Sequence, residues 1–229
     1  MRSESLLSLL QFADGLFPTG GYAHSFGLET YCQAGVIGDR SGLEAFVRAH
    51  LEGSAGPCDA VAVAGVLRAA QRDDLEACAG IDATLEAMKP VREFREASRQ
   101  MGRQTLRIAA ALTRDPHLIA FREAVEAGRT PGHHPVGFGM AGAVLGWSAV
   151  EATTAYLYST AVLLIGAGLR LLPLGQVDGQ RVLWSAHESI TTLAREAAAA
   201  APADLWSFAP GLEIAGMRHE TLERRLFRS

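Results

Sequence analysis

The sequence predicts an all-α protein, a single-domain bundle of about ten helices, on three observations. Ala-rich windows with helical spacing recur at residues 59–71, 104–112 and 190–201. Helix-start signatures recur at Ser41-x-x-Glu44, Asp115-Pro116 and Ser148-x-x-Glu151. No stretch alternates β-branched and polar residues for the length of a strand. At 229 residues the chain can bury a core without disulfide or metal staples, and no fixed-period repeat divides it, so residues 1–229 are expected to form one domain.

The elements follow in order. Residues 17–30, FPTGGYAHSFGLET, read as a Gly-rich turn feeding a helix that carries His24, Ser25 and Glu29. Such a turn gathers free backbone N–H groups at the positive end of a helix dipole, which suits an anion. A metal, a docked protein, or no more than a tight turn beside a packed histidine fit the same residues. The box at Ser41 and Glu44 opens a helix that Gly53 is expected to close.

Residues 91–112 form the most readable helix. At 100° per residue, Phe94, Met101, Ile108 and Leu112 share one stripe, and Arg92, Arg95, Arg99, Arg103 and Arg107 share the opposite arc, with Leu106 straying onto it. Planar guanidinium groups on that arc suit an acidic partner or phosphates, and a solvated face neutralised by Glu96 is the plain alternative. Residues 127–137 are the nearest thing to a linker, joining two packed halves.

Residues 135–169 carry one charge, Glu151. The first apolar piece is too short for a membrane span of about 20 residues, and the capping box at Ser148 begins a second helix. Two buried helices are expected, and no membrane partner. Residues 217–229 mix Arg218, Arg224, Arg225 and Arg228 with Glu220 and Glu223 around Met217, Leu222, Leu226 and Phe227. This tail is expected to be mobile alone and ordered on a partner, with Leu226 and Phe227 buried there.

The chemistry motifs mostly cancel. Basic residues number 21 and acidic residues 25, so the chain shows no bias toward nucleic acid. Cys32, Cys58 and Cys78 form no CxxC pair and follow no signal peptide, which suits a reducing cytosol. Residues 137–142 spell GxGxxG, but no strand precedes them and no acid follows about 20 residues on. The turn at Gly20 lacks the Gly-Lys-Ser/Thr of a nucleotide loop. His187-Glu188 and His219-Glu220 are each half of a zinc-protease helix. His133-His134 reads as a surface loop pair, and Asp73-Asp74 and Glu93 with Glu96 as helix-start and surface charges. No catalytic residue and no metal ligand set is assigned. A small hydrolase built on one His-Glu pair remains as another reading; a stand-alone metallochaperone, which the resemblance given next would make nickel-binding, is the second.

Four stretches bring a resemblance: LLQFADGLFPTGGYAHSFGLET, VREFREASRQMGRQTL, AYLYSTAVLLIGAGLRLLPLGQVDGQRVL and EIAGMRHETLERRLFRS. In order and spacing they resemble the urease accessory protein UreF family over nearly the whole chain. Thr19 and the pair Glu223-Arg224 depart from the pattern. The resemblance implies an all-α, homodimeric, non-enzymatic adaptor in the maturation of urease. Its implied partners are UreD (also called UreH), the GTPase UreG, whose GTP hydrolysis it would modulate, and apo-urease. It implies no permanent cofactor, with nickel handled transiently by the complex. It also places Gly20, Gly21, Ser25 and Glu29, with Ser25 and Glu29 exposed, on the face toward UreG. Arg218, His219, Glu220, Arg225, Leu226, Phe227, Arg228 and Ser229 would then engage UreD.

Overall fold

The structure, a computed structural model, describes residues 3–229, which contain twelve α-helices and no strand. The helices are α1 (Ser3–Ala13), α2 (Leu28–Gln33), α3 (Arg40–His50), α4 (Val61–Ala70), α5 (Leu75–Met88), α6 (Arg92–Thr113), α7 (Pro116–Glu126), α8 (His134–Leu145), α9 (Ala149–Leu171), α10 (Gln176–Ser185), α11 (His187–Ala199) and α12 (Pro210–His219). Local start signals explain several of them. Ser148 accepts from Glu151 N while Glu151 accepts from Ser148 N, closing the expected capping box of α9. Asp115 caps α7 ahead of Pro116 in the first turn.

Two signals fell elsewhere. Asp39, not Ser41, caps α3 by accepting from Gly42 N at 2.8 Å, because a carboxylate one turn ahead outcompetes the hydroxyl. Gly53 does not end the helix either. The chain continues through a π-helical stretch, Leu51–Ala60, into α4. Pro57 has no N–H to donate, and the wider winding absorbs that lost bond. Carbonyls left over in the stretch are satisfied across space: Gly53 O accepts from Phe208 N and Pro57 O from Trp206 N.

Side chains gather into two apolar clusters. One joins α1 and α4–α8 around Leu67, Leu85, Leu106, Phe138 and Trp147. The other joins α2, α3 and α9–α12 around Leu28, Leu43, Leu157, Leu164 and Leu212. Helix α9 supplies Ala152 and Tyr156 to the first and Leu157 and Leu164 to the second, so the halves meet along α9. The linker expected at 127–137 does not separate them, since Phe121 before it and Phe138 after it lie in the same cluster. Helix α9 has a mean hydropathy of 1.4 over its most apolar window and is half-covered by its neighbours, a core helix as expected.

Helix α8 passes between α4 and α6, and the GxGxxG stretch lies inside it. A Cβ on Gly139 would stand 2.7 Å from Val63 O, so the glycines serve backbone approach and no phosphate. Gly102 of α6 is tighter still: a Cβ would lie 2.1 Å from Gly132 O and 2.5 Å from the His133 carbonyl carbon. Both obstacles are backbone. Gly102→Ala is therefore expected to destabilise the fold by about 3 kcal/mol, with a matching fall in urea midpoint; an unchanged midpoint would contradict this packing.

This close approach also rotates the buried arc of α6. Leu106, read as straying onto the basic side, is fully buried, and Leu112, read as core, is 58% exposed. Beside it, Asp82 is buried and holds the following loop by accepting from Thr130 Oγ1, Gly132 N and His133 N. The His133-His134 pair, expected on the surface, is consequently interior. His133 reaches Ser98 Oγ at 3.1 Å and Glu86 at 3.0 Å, and Glu86 also pairs with Arg95 and Arg99. Two of the five arginines of the arc are thus paired within the fold.

Candidate partner-docking site

The Gly-rich turn is built differently from the expected turn-into-helix. Gly20 takes φ +87°, a left-handed value natural to glycine, and starts a single 3₁₀ turn, Gly21–Ala23. His24 is extended, and α2 begins only at Leu28 after a second reversal at Phe26 and Gly27. Of the three residues expected in the helix, Glu29 alone is helical. The N–H groups of this segment do meet an oxygen, and it belongs to the chain itself. Ser229 O accepts from Ser25 N (2.6 Å), Phe26 N (3.1 Å) and Ser25 Oγ (2.7 Å). Ala23 O accepts from Arg228 N at 2.8 Å, and His24 Nδ1 meets Ser229 Oγ at 2.9 Å.

The tail thereby covers Ser25 and Glu29. The expectation that both are exposed toward a partner is corrected: Ser25 is fully buried and Glu29 is 2% exposed. Glu29 Oε1 accepts from Leu226 N (2.7 Å) and Gln33 Nε2 (3.3 Å), and Oε2 accepts from Phe227 N (3.0 Å). His219 Nε2 lies 3.0 Å from Glu29 Oε2, and its Nδ1 lies 2.7 Å from Glu93 Oε2. An imidazole that meets a carboxylate at each nitrogen donates at both only as the cation. Arg225 closes the set at 2.8 Å from Glu93 Oε1. Two carboxylates thus converge on one imidazole and one guanidinium, so the buried oxygens of Glu29 and Glu93 all find partners.

Burial alone would raise the Glu29 carboxyl. The Leu226 and Phe227 N–H groups and the His219 ring outweigh it and hold the carboxyl below its ordinary range. Burial, with Arg228 and His219 adding to it, lowers His24 to about 4. One side chain welds the two strands of this clasp. The Arg170 guanidinium stacks 3.8 Å from the Tyr22 ring centre and 4.3 Å from that of Phe227, and donates to Tyr22 O.

The tail supplies the other half of the clasp. Its last residues pack on the body of the same chain, where Glu29, Glu93 and the Ser25 segment take up their polar groups. His219, Phe227 and Ser229 are buried, while Arg218, Glu220, Arg225 and Arg228 are exposed. Leu226, expected to be buried on a partner, is 63% exposed in this chain, and Glu29 holds its N–H. Ile214 and Met217 of α12 are each about half exposed as well.

Glu93, read as a surface charge, is central to the clasp, and Tyr22 and Arg170 were missed. The signal for Glu93 was its register at the start of α6, one turn before Ala97 and two before Met101 on the buried side. His187-Glu188 forms no site: the His187 ring stacks on exposed Trp184. Among the described residues no three His, Cys, Asp or Glu side chains group in a way that could hold a metal ion, and the three cysteines are free.

Comparison with known proteins adds a family. Residues 37–187 match the family model described as UreF. The chain is 36% identical over 227 residues to the urease accessory protein UreF of Arthrobacter sp. (strain FB24), covering 97% of this chain and 96% of that one. It is 35% identical to the protein of the same description from Paenarthrobacter aurescens (strain TC1), over the full length of both. The corresponding protein of Nostoc sp. (strain PCC 7120 / SAG 25.82 / UTEX 2576) is 34% identical, with 100% of this chain and 98% of the relative covered.

Proposed function

The chain belongs to the UreF family of urease accessory proteins, which are non-catalytic, and from that premise we propose that it is a cytosolic, homodimeric adaptor in nickel insertion into urease. In this reading UreD (UreH) grips the tail, UreG docks at the Gly20 turn and has its GTP hydrolysis modulated there, and apo-urease receives the nickel. Nickel is cargo of the whole complex and no ion stays on this chain.

The observation that carries the reading is the clasp. A partner pulling on residues 220–229 acts directly on Ser25, Phe26 and Glu29, and through Arg170 on Tyr22 beside Gly20 and Gly21. Two docking faces joined in this way suit a protein that recruits a second partner once the first is bound. The burial of Ser25 and Glu29 changes their proposed role. They position the turn, and the surface offered to UreG is Gly20 with exposed Leu16 and Tyr22. Toward UreD, the exposed Met217 and Leu226 serve as anchors, with the exposed Arg218, Glu220 and Arg228 in the same C-terminal segment, while His219, Arg225, Phe227 and Ser229 hold the tail in shape.

The test is Met217→Glu with Leu226→Glu. Both side chains are exposed and outside the clasp, so stability is expected to stay within about 0.5 kcal/mol. Pull-down with co-expressed UreD is expected to fall at least about tenfold, since apolar anchors dominate such interfaces. Undiminished capture would remove the tail surface from the account.

A further inference from the structure

Behind the clasp lies a cavity of about 80 Å³ whose wall includes His50, Cys58, Asp59, Lys89, His134 and Tyr156. Three independent features converge on it. The π-helical stretch Leu51–Ala60 presents Cys58 and Asp59 there, and such windings recur at functional sites. Lys89, the one lysine of the chain, is drawn into the interior, where Nζ pairs with Asp59 Oδ1 at 2.7 Å. Tyr156 donates to Asp59 Oδ2 at 3.2 Å, so both carboxylate oxygens are engaged. His50 is 91% buried, and its Nδ1 has no hydrogen-bond partner among the described residues. A buried polar atom left unpaired costs stability unless something occupies the space before it.

The balance of donors and acceptors identifies the occupant. Lys89 gives one of its three N–H groups to Asp59 and keeps the others. The Cys58 thiol adds a donor, His50 Nδ1 adds another in the tautomer that carries its proton there, and the Asp59 carboxylate is spent. Burial, opposed by Asp59 and reinforced by Lys89, lowers His50 and His134 to about 4, so both rings are neutral at pH 7. A divalent cation in this space would face the Lys89 ammonium, and an apolar guest would leave the donors unmatched. We propose that the cavity binds a small monovalent oxyanion of formate size, held by Lys89 Nζ with His50 as the second contact. This site does not depend on the docking faces above.

The probe is ¹³C-formate, titrated into the full chain by NMR and calorimetry. Saturable one-to-one binding is expected in the wild type. His50→Leu, which deletes the unpaired group and leaves the Asp59–Lys89 pair intact, is expected to weaken it about tenfold. Lys89→Met combined with Asp59→Leu removes the ion pair together, so that no lone buried charge is left, and is expected to abolish binding. Absence of saturable binding to the wild type, or binding that survives both variants, overturns the proposal. Zinc held more tightly than formate and lost in the same variants would make the cavity a cation site and overturn it equally.

Discussion

Glu29→Ala is expected to lower stability by about 4 kcal/mol and to free the tail. The substitution leaves the Leu226 and Phe227 N–H groups without their acceptor and takes away the buried carboxylate that His219 Nε2 meets. Breaking a buried ion pair from one side costs about 3–5 kcal/mol, because the partner charge stays behind. Urea unfolding gives the total, and hydrogen exchange at Leu226 and Phe227 reports the tail directly. Glu29→Gln keeps the shape and one good acceptor oxygen, so it should fall between the wild type and Ala. If the Ala variant unfolds at the wild-type midpoint with a protected tail, the clasp has been misread.

Acid should unfold the protein steeply between pH 6.5 and 4. His24, His50 and His134 each have a folded value of about 4 against an ordinary 6.5, chiefly through burial. A histidine whose folded value is depressed costs the folded state nothing above pH 6.5. Below that, the unfolded chain takes up protons that the folded chain refuses, and stability falls as pH drops until about pH 4. Near pH 5 these three groups together imply an uptake of about 2.6 protons on unfolding, a loss of about 3.6 kcal/mol per pH unit. Glu29 acts lower: its carboxyl is depressed, so its contribution is complete above the ordinary value of 4.5 and fades only as acid passes below it. Urea midpoints at pH 7, 6 and 5 read the slope. A flat profile across that range would mean that the three imidazoles are hydrated.

What could be read from the sequence was what neighbouring residues decide. The Ser148–Glu151 box and the Asp115-Pro116 start lie within one turn of the helices they open, and both formed as written. The burial of α8 and α9 followed from their composition. Ser41 failed because Asp39 competes for the same free N–H groups, and Gly53 failed because the chain can widen its winding around Pro57. The site was the least legible part. Glu29 and His219 are 190 residues apart, and Glu93 and Arg225 are 132 apart, so no local spacing announces them. A tail of mixed charge reads as solvated until its carboxylate partners are known to be interior. The turn was correctly noticed as a cradle of free N–H groups, but its oxygen came from Ser229.

The central claim is that this chain acts on urease by docking, with no chemistry of its own. The most direct measurement is urease activity and nickel content after co-expression of apo-urease, UreD and UreG with the wild-type chain, without it, and with the Met217→Glu, Leu226→Glu variant. The account predicts nickel-loaded, active urease only with the wild-type chain, and no change in that result when the variant is supplied in excess. Full loading of urease without this chain, or with the variant, would contradict it.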